Sequence, residues 1–392
     1  MSEFRLDFQD TATAFADKTD SQLREKYRLF KALNSPLLNS LGMGAARFAL
    51  AVGLPVEGLI KSTIFEQFCG GETIEECEGT VEKLAAANIG AILDYSVEGK
   101  STEEDFDRTK DEIIRTLKRA KDDPRIPFAV FKVTGIAPLG TLERLSAKKK
   151  LDAKSQAKCE RIHNRVNEIC ELAYSLGQPI FIDAEDSWIQ DAIDRLATEM
   201  MERFNREQPI VYNTIQLYRK DRLEFLKTSR RQAKLDGYMY AAKLVRGAYM
   251  EKERERAAEK GYPSPIHETR AETDADYDAA LDYCLKHVDD MSFVAGTHNE
   301  ASTYRLAEQM HAMGIAENHP HIFFSQLYGM GDNLSYVLAA SGYNVSKYVP
   351  YGPVSDSIPY LIRRAQENTA TASQVSRELE LLTREMRRRA LA

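Results

Sequence analysis

"IGAILDY" (Ile89–Tyr95), followed shortly by "TEEDFDRTKDEIIRTLKRA" (Thr102–Ala120), decides how this chain is read. The first stretch is a short, β-rich apolar run, the length of a strand. The second repeats apolar residues at i, i+3 and i+4 behind an acidic start, which is the signature of an amphipathic helix. The couplet recurs along the chain. Strands are predicted at Ile89–Tyr95, Pro127–Val133, Pro179–Asp183, Ile210–Gln216, Ala241–Val245, Phe293–Thr297, Ile322–Gln326 and Val345–Val349. Helical pieces such as "KCERIHNRVNEICELAYSLG", "SWIQDAIDRLATEMMERFN" and "DADYDAALDYCLKHVDD" lie between them. Strand and helix in alternation imply a parallel sheet. Eight such units in about 300 residues predict an α/β fold of the (β/α)8 TIM-barrel type, because an open doubly wound sheet more often has fewer strands and a glycine-rich first turn. No G-x-G-x-x-G follows any of the strands. Gly42-Met43-Gly44 has Arg47 where the third glycine would fall and no strand before it.

Three regions follow from this pattern. Residues 1–85 are read as a helical N-terminal arm, with "SQLREKYRLFKALN" its clearest helix, residues 86–370 as the barrel, and residues 371–392 as a C-terminal helix with a basic last turn. A chain of 392 residues with 43% hydrophobic content can fill a large core. The net charge of -7 argues against general nucleic-acid binding, so anion recognition must be local. Five cysteines, odd in number and without a CxxC pair, fit a reducing compartment and no zinc site. The acidic start Met1–Asp10 resembles neither a signal nor a transit peptide, so a cytoplasmic location is expected. The longest apolar stretch, around Phe48–Pro55, is far shorter than a membrane span. Peripheral contact at the inner face of a membrane stays open, with "REMRRRALA" as one candidate contact and a helix-end charge cluster as the plainer reading of that segment.

A barrel carries its chemistry at the carboxyl ends of its strands. The polar residues there are Asp94, Lys132, Asp183, Glu185, Gln216, Lys243, Arg246, Thr297, His298, Asn299, Gln326 and Tyr348. A lysine inside a strand can be mere ion-paired filling. Together, however, Lys132, Lys243, Arg246, Arg363 and Arg364 give a cationic cavity that Asp183 and Glu185 neutralise in part, which suits a small anionic substrate or a phosphate-bearing cofactor. Gly247 permits close backbone approach and Ala248 leaves room for a flat ligand, although a plain βα turn would also use that glycine. His298 is read as a donor rather than a base. HExxH, G-x-S-x-G and G-x-x-x-x-G-K-[ST] are all missing, so hydrolytic-metal and serine-nucleophile chemistry have no support.

The ordered blocks "KLVRGAY", "VAGTHNE", "FFSQLYGMGDN", "KYVPYGP" and "YLIRRAQEN" resemble those of proline dehydrogenase, the flavin enzyme that also forms one domain of bifunctional proline utilisation proteins. The resemblance spans roughly Ile89–Thr369 and is strongest in the last two blocks. It implies a distorted barrel whose final helix lies over the mouth and presents the tandem pair Arg363 and Arg364. Adjacent helical residues diverge by about 100°, so the pair can approach one carboxylate from two directions.

On this likeness Lys132 is the third cation on the L-proline carboxylate and Asp183 helps to hold the charge network, while Tyr348, Tyr360 and Leu327 wall the pyrrolidine ring. Tyr348 stands where enzymes acting on hydroxyproline carry a smaller residue, which favours proline. Gln216, Lys243, Arg246, Gly247, Ala248, Tyr249, Thr297, His298, Asn299, Gln326 and Glu367 match positions around FAD. The implied reaction is hydride transfer from proline to the flavin, giving Δ1-pyrroline-5-carboxylate, with electrons passed on to a quinone. No residue is a convincing base for the amine proton.

The chain departs from the R-L-V-K-G-A-Y-W of many bacterial members: Lys243 takes the arginine place, Arg246 the lysine place, and Met250 replaces tryptophan. Which cation meets the reactive ring stays open, since lysine is a point donor and arginine a planar fork. The swapped form looks more like mitochondrial members and some single-function bacterial ones, and no aldehyde dehydrogenase half is expected. Three rivals remain at this stage: a methylenetetrahydrofolate-reductase-type flavin barrel, an aldolase using Lys132 or Lys243 as a Schiff base, and a non-enzymatic anion-binding barrel.

Overall fold

The computed structural model describes residues 4–33, 58, 61–96, 101–150, 152–361 and 372–391. Eight strands form one sheet: β1 (Ile89–Tyr95), β2 (Ala129–Lys132), β3 (Ile180–Asp183), β4 (Val211–Gln216), β5 (Tyr240–Val245), β6 (Met291–Gly296), β7 (Ile322–Leu327) and β8 (Val345–Tyr351). Their order is β1-β8-β7-β6-β5-β4-β3-β2, with helices in the connections, as in a (β/α)8 barrel. All eight predicted strands are present. β2 is shorter than expected because Pro127 has no N–H for a ladder and Val133 opens a 3-10 turn, Val133–Gly135.

The local signals act as their chemistry requires. Helix Glu103–Ala120 starts where the Thr102 side chain accepts from the Asp105 N–H, with Glu103, Glu104 and Asp105 in its first turn and Lys118 and Arg119 in its last. Helix Arg270–Leu285 opens on a reciprocal capping box between Thr269 and Glu272. Helix Ala153–Leu176 is capped by Asp152 and stops at Gly177, whose φ of 64° a side chain would disfavour.

Two compact units make up the chain: residues 1–98 with 326–392, and residues 99–325. In the first, β1 and β8 pair in register from Ile89 opposite Val345 to Tyr95 opposite Tyr351. Helix Asp20–Leu33 buries Leu23, Lys26, Phe30 and Leu33, a 3-4-3 spacing that lines one face. That face joins Phe15, Phe68, Tyr360, Leu381 and Leu382 in one hydrophobic cluster.

In the second unit, Lys132 at the end of β2 stands opposite Asp183 at the end of β3. Below this charged rim is an aromatic layer. Phe128 stacks on Phe181 at 4.5 Å and meets Tyr212 and Phe323 edge-on at 5.5 and 4.8 Å. Phe128, Phe181 and Tyr212, which are buried, each contribute about 1.5–3 kcal/mol, and the layer forms a firm floor beneath the polar strand ends.

Candidate active site

In the second unit the carboxyl ends of β2, β3 and β5 bring three charges together. The Lys243 ammonium donates to Asp183 Oδ1, and the Lys132 ammonium lies 3.9 Å from Asp183 Oδ2. One carboxylate therefore serves two cations. Lys243 is almost fully buried and sits 5.2 Å over the Phe181 ring. An ammonium so enclosed needs a counter-ion, and Asp183 provides it. Lys132 keeps 20% of its side chain exposed, so its charge can still act on an incoming anion.

Glu185 lies two residues beyond Asp183 and is buried. Its carboxylate accepts from the Thr134 N–H at 3.0 Å and from the Thr134 hydroxyl. Its own N–H donates to Gln190 Oε1 at 2.8 Å, while its carbonyl accepts from Gln216 Nε2 at 2.7 Å. Glu185 thus ties the turns after β2 and β3 to β4. Burial raises its pKa to about 7, against the opposing effects of the Thr134 hydrogen bonds and the Lys132 charge. Thr134 carried no signal in the sequence beyond its place after Lys132 in "FKVTG".

Beyond β5, Arg246 uses its fork on three partners: Nε to Asp274 at 2.6 Å, Nη1 to Thr297 Oγ1 at 2.7 Å and Nη2 to Ser302 Oγ at 2.9 Å. Its guanidinium also lies 4.2 Å over the Tyr277 ring. These contacts hold the cation rigidly while 19% of the side chain remains exposed. Gly247 follows with φ 128°, and a Cβ there would lie 2.5 Å from the Tyr218 ring. The glycine is required by that ring as well as by the turn. Ala248 is exposed, and Tyr249 is half-buried at the start of helix Met250–Lys260. Thr297 Oγ1 also accepts from the Asn299 N–H at 3.0 Å, and Asn299 caps helix Glu300–Ala312 by accepting from Ser302 N–H, with half-buried His298 between them.

The first unit holds the remaining described candidates. Gln326 is buried and its Oε1 accepts from the Ser335 hydroxyl at 2.8 Å. Leu327 ends β7 half-buried. Tyr348 lies on β8, and its carbonyl accepts from the Tyr328 N–H at 2.8 Å. Tyr360 packs into the hydrophobic cluster with Phe15, Phe68 and Leu381. Arg363, Arg364 and Glu367 lie outside the described residues. Sequence reading passed over the buried Lys347 beside Tyr348; the signal was a lysine inside "SKYVPY" on an otherwise apolar strand.

One family model matches most of the chain. The proline dehydrogenase family model matches residues 77–377. The chain is 35% identical to the carbapenem antibiotics biosynthesis protein CarD of Pectobacterium carotovorum, over 85% of this chain and 86% of that protein. It is 32% identical to the mitochondrial proline dehydrogenase 1 of Arabidopsis thaliana, over 99% of this chain and 87% of the relative. Among solved structures, proline utilization A from Bdellovibrio bacteriovorus superposes with a TM-score of 0.71 at 20% identity, which shows the shared barrel fold. That match covers 97% of this chain and 42% of the larger one, so the chain spans less than half of that protein's length. With the family model matching most of its length, the chain belongs to the proline dehydrogenase family, oxidoreductases of proline catabolism.

Proposed function

We propose that the chain oxidises L-proline to Δ1-pyrroline-5-carboxylate with FAD as its cofactor and a quinone as final electron acceptor. The observation that carries this reading is the Lys132–Asp183–Lys243 cluster at the carboxyl ends of β2, β3 and β5 in a member of this family. Lys132 attracts the substrate carboxylate, and Arg363 and Arg364 complete the clamp in the reading taken from the family motif. Asp183 keeps the two lysines apart in role: it neutralises buried Lys243 while Lys132 faces the anion. Leu327, Tyr348 and Tyr360 offer apolar faces to the pyrrolidine ring and exclude water from it. Proline that binds with its amine already neutral loses a hydride from C5, and the N–H proton left on the resulting C=N(H)+ group then goes to solvent, which leaves the C=N bond of the product.

The residues at the ends of β4, β5 and β6 fit FAD. Arg246 is a rigid, partly exposed cation and exposed Ala248 adds only a methyl group, which together suit a diphosphate and a flat ring, while Gly247 lets the backbone turn between them against the Tyr218 ring. Gln216, Lys243, Tyr249, Thr297, His298, Asn299, Gln326 and Glu367 complete the set assigned to the cofactor. FAD, when bound, supplies the hydride acceptor. None of the described helices is long and apolar enough to cross a membrane. We assign the delivery of electrons to a quinone to peripheral contact with the cytoplasmic face of a membrane.

The test is the visible spectrum of the purified protein before and after L-proline is added without oxygen. A flavin spectrum that bleaches supports cofactor and substrate together. A flavin that ignores proline but bleaches with NADH favours a reductase of the methylenetetrahydrofolate type. A protein that stays colourless after reconstitution with FAD defeats the reading.

A further inference from the structure

Lys347 interrupts the apolar run of β8, and its side chain is 1% exposed. Its ammonium donates to the Met330 carbonyl at 2.7 Å and to Asp332 Oδ1 at 2.8 Å, and lies 3.5 Å from the Leu327 carbonyl. Asp332 Oδ2 accepts from Lys26 of helix Asp20–Leu33 at 2.7 Å. Lys26 is in turn 3.8 Å from Glu378 Oε2 of helix Ala372–Arg388, and Glu378 Oε1 accepts the Gly331 N–H at 2.5 Å. Two lysines and two carboxylates from four elements thus converge on the turn that follows Leu327. The turn is held on its other side as well. Gln67 Nε2 donates to the Gly329 carbonyl at 2.7 Å, and a Cβ on Gly329 would lie 2.0 Å from the Gln67 carbonyl oxygen.

Such a network is a poor way to gain stability. Burying four charged groups costs several kcal/mol each before pairing, and well-packed apolar residues often do as well or better. Charge pairs differ from apolar contacts in direction: they fix where a backbone carbonyl sits. Here the fixed groups are the carbonyls of Leu327 and Met330 and the strand position next to Tyr348. We propose that Lys347, Asp332 and Lys26 are positioning residues that set the spacing of Leu327 and Tyr348 around the substrate ring. The proposal rests on the reading above, in which those two side chains wall that ring. It also gives the N-terminal helix Asp20–Leu33 a part in substrate selection through Lys26.

The experiment compares wild type with Lys347→Met and Asp332→Asn, measuring bound flavin, thermal midpoint, and kcat and KM for L-proline and for its six-membered homologue L-pipecolate. For Lys347→Met the expected result is a KM for L-proline raised about tenfold, with kcat within about twofold and flavin content unchanged, because misplacement of binding groups on the ångström scale has effects of this order or larger. The preference for proline over pipecolate narrows at the same time. Asp332→Asn, which keeps the shape and removes the charge, moves KM and selectivity in the same direction and decides the matter if Lys347→Met does not fold. Folded variants with a lower thermal midpoint but unchanged KM and ring-size preference overturn the proposal, as does failure of both to fold, which would assign the network to folding alone. A wild-type flavin that L-proline does not bleach overturns the functional reading and this proposal with it.

Discussion

Thr134 donates twice to one carboxylate: its N–H reaches Glu185 Oε1 at 3.0 Å and its hydroxyl bonds Oε2. Those bonds favour the charged form of Glu185, yet burial outweighs them and lifts the pKa from the usual 4.5 to about 7. The folded protein therefore holds a proton that the unfolded chain releases. Stability contributed by this group is fully present below pH 4.5 and is lost as pH rises toward 7, by about 3 kcal/mol at 1.36 kcal/mol per pH unit. Glu185→Gln removes that slope. Urea unfolding at pH 5 and pH 8 should show the variant gaining on wild type at the higher pH, and an equal pH dependence in both proteins would refute the assignment.

Asp183 is the common counter-ion of Lys243 and Lys132, so its neutralisation leaves a buried ammonium without its closest partner. Asp183→Asn is expected to destabilise the protein by about 3 kcal/mol, the usual result of breaking a buried pair from one side. Replacing both members, as Asp183→Asn with Lys243→Met, should recover more than half of that loss. Urea titrations of the two single variants and the double variant read the coupling directly, and additive losses would show that the pair is not energetically linked.

The sheet was legible because its strands are short apolar runs with clear ends: Ile89–Tyr95 was read to the residue. The charged candidates were legible for the same reason. Lys132, Asp183 and Lys243 interrupt apolar strands, and such interruptions stand out. That Asp183 holds these cations in a network came from the family resemblance and not from the residues alone, since the register that sets Lys132 opposite Asp183 is a property of the sheet rather than of any window of sequence. Lys26 was hidden differently. It lies three residues after Leu23 and four before Phe30, on the buried face of its helix, but a lysine in an amphipathic pattern is ordinarily solvated, and its burial is explained by carboxylates far along the chain, Asp332, 306 residues away, and Glu378. Thr134 had no pattern at all.

Arg246 and lysine are not equivalent at the end of β5. The planar fork meets Asp274, Thr297 and Ser302 at once and covers the Tyr277 ring. Lysine can replace the charge but only one of these directions. Under the proposed function, Arg246→Lys should weaken FAD binding by about tenfold, the loss of about one charge-assisted hydrogen bond, while leaving the fold intact. Fluorescence titration of apoprotein with FAD measures it, and an unchanged dissociation constant would remove Arg246 from the cofactor site.

Gly247 faces two separate constraints, and they can be told apart by experiment. Its φ of 128° is disfavoured for any L side chain, and a Cβ would lie 2.5 Å from the ring of Tyr218, which is itself buried. Backbone strain of this type costs about 1–3 kcal/mol, and a forced ring displacement in a packed core adds about 1–3 kcal/mol more. Gly247→Ala should therefore destabilise by about 2–6 kcal/mol on the same two estimates. Tyr218→Ala removes the obstacle, though it leaves a cavity of its own, so the double variant should be less destabilised than the sum of the single ones. A coupling near zero in the double-mutant cycle would mean that φ alone demands the glycine; a coupling above about 1 kcal/mol would show that the Tyr218 ring sets the path of the backbone at the end of β5.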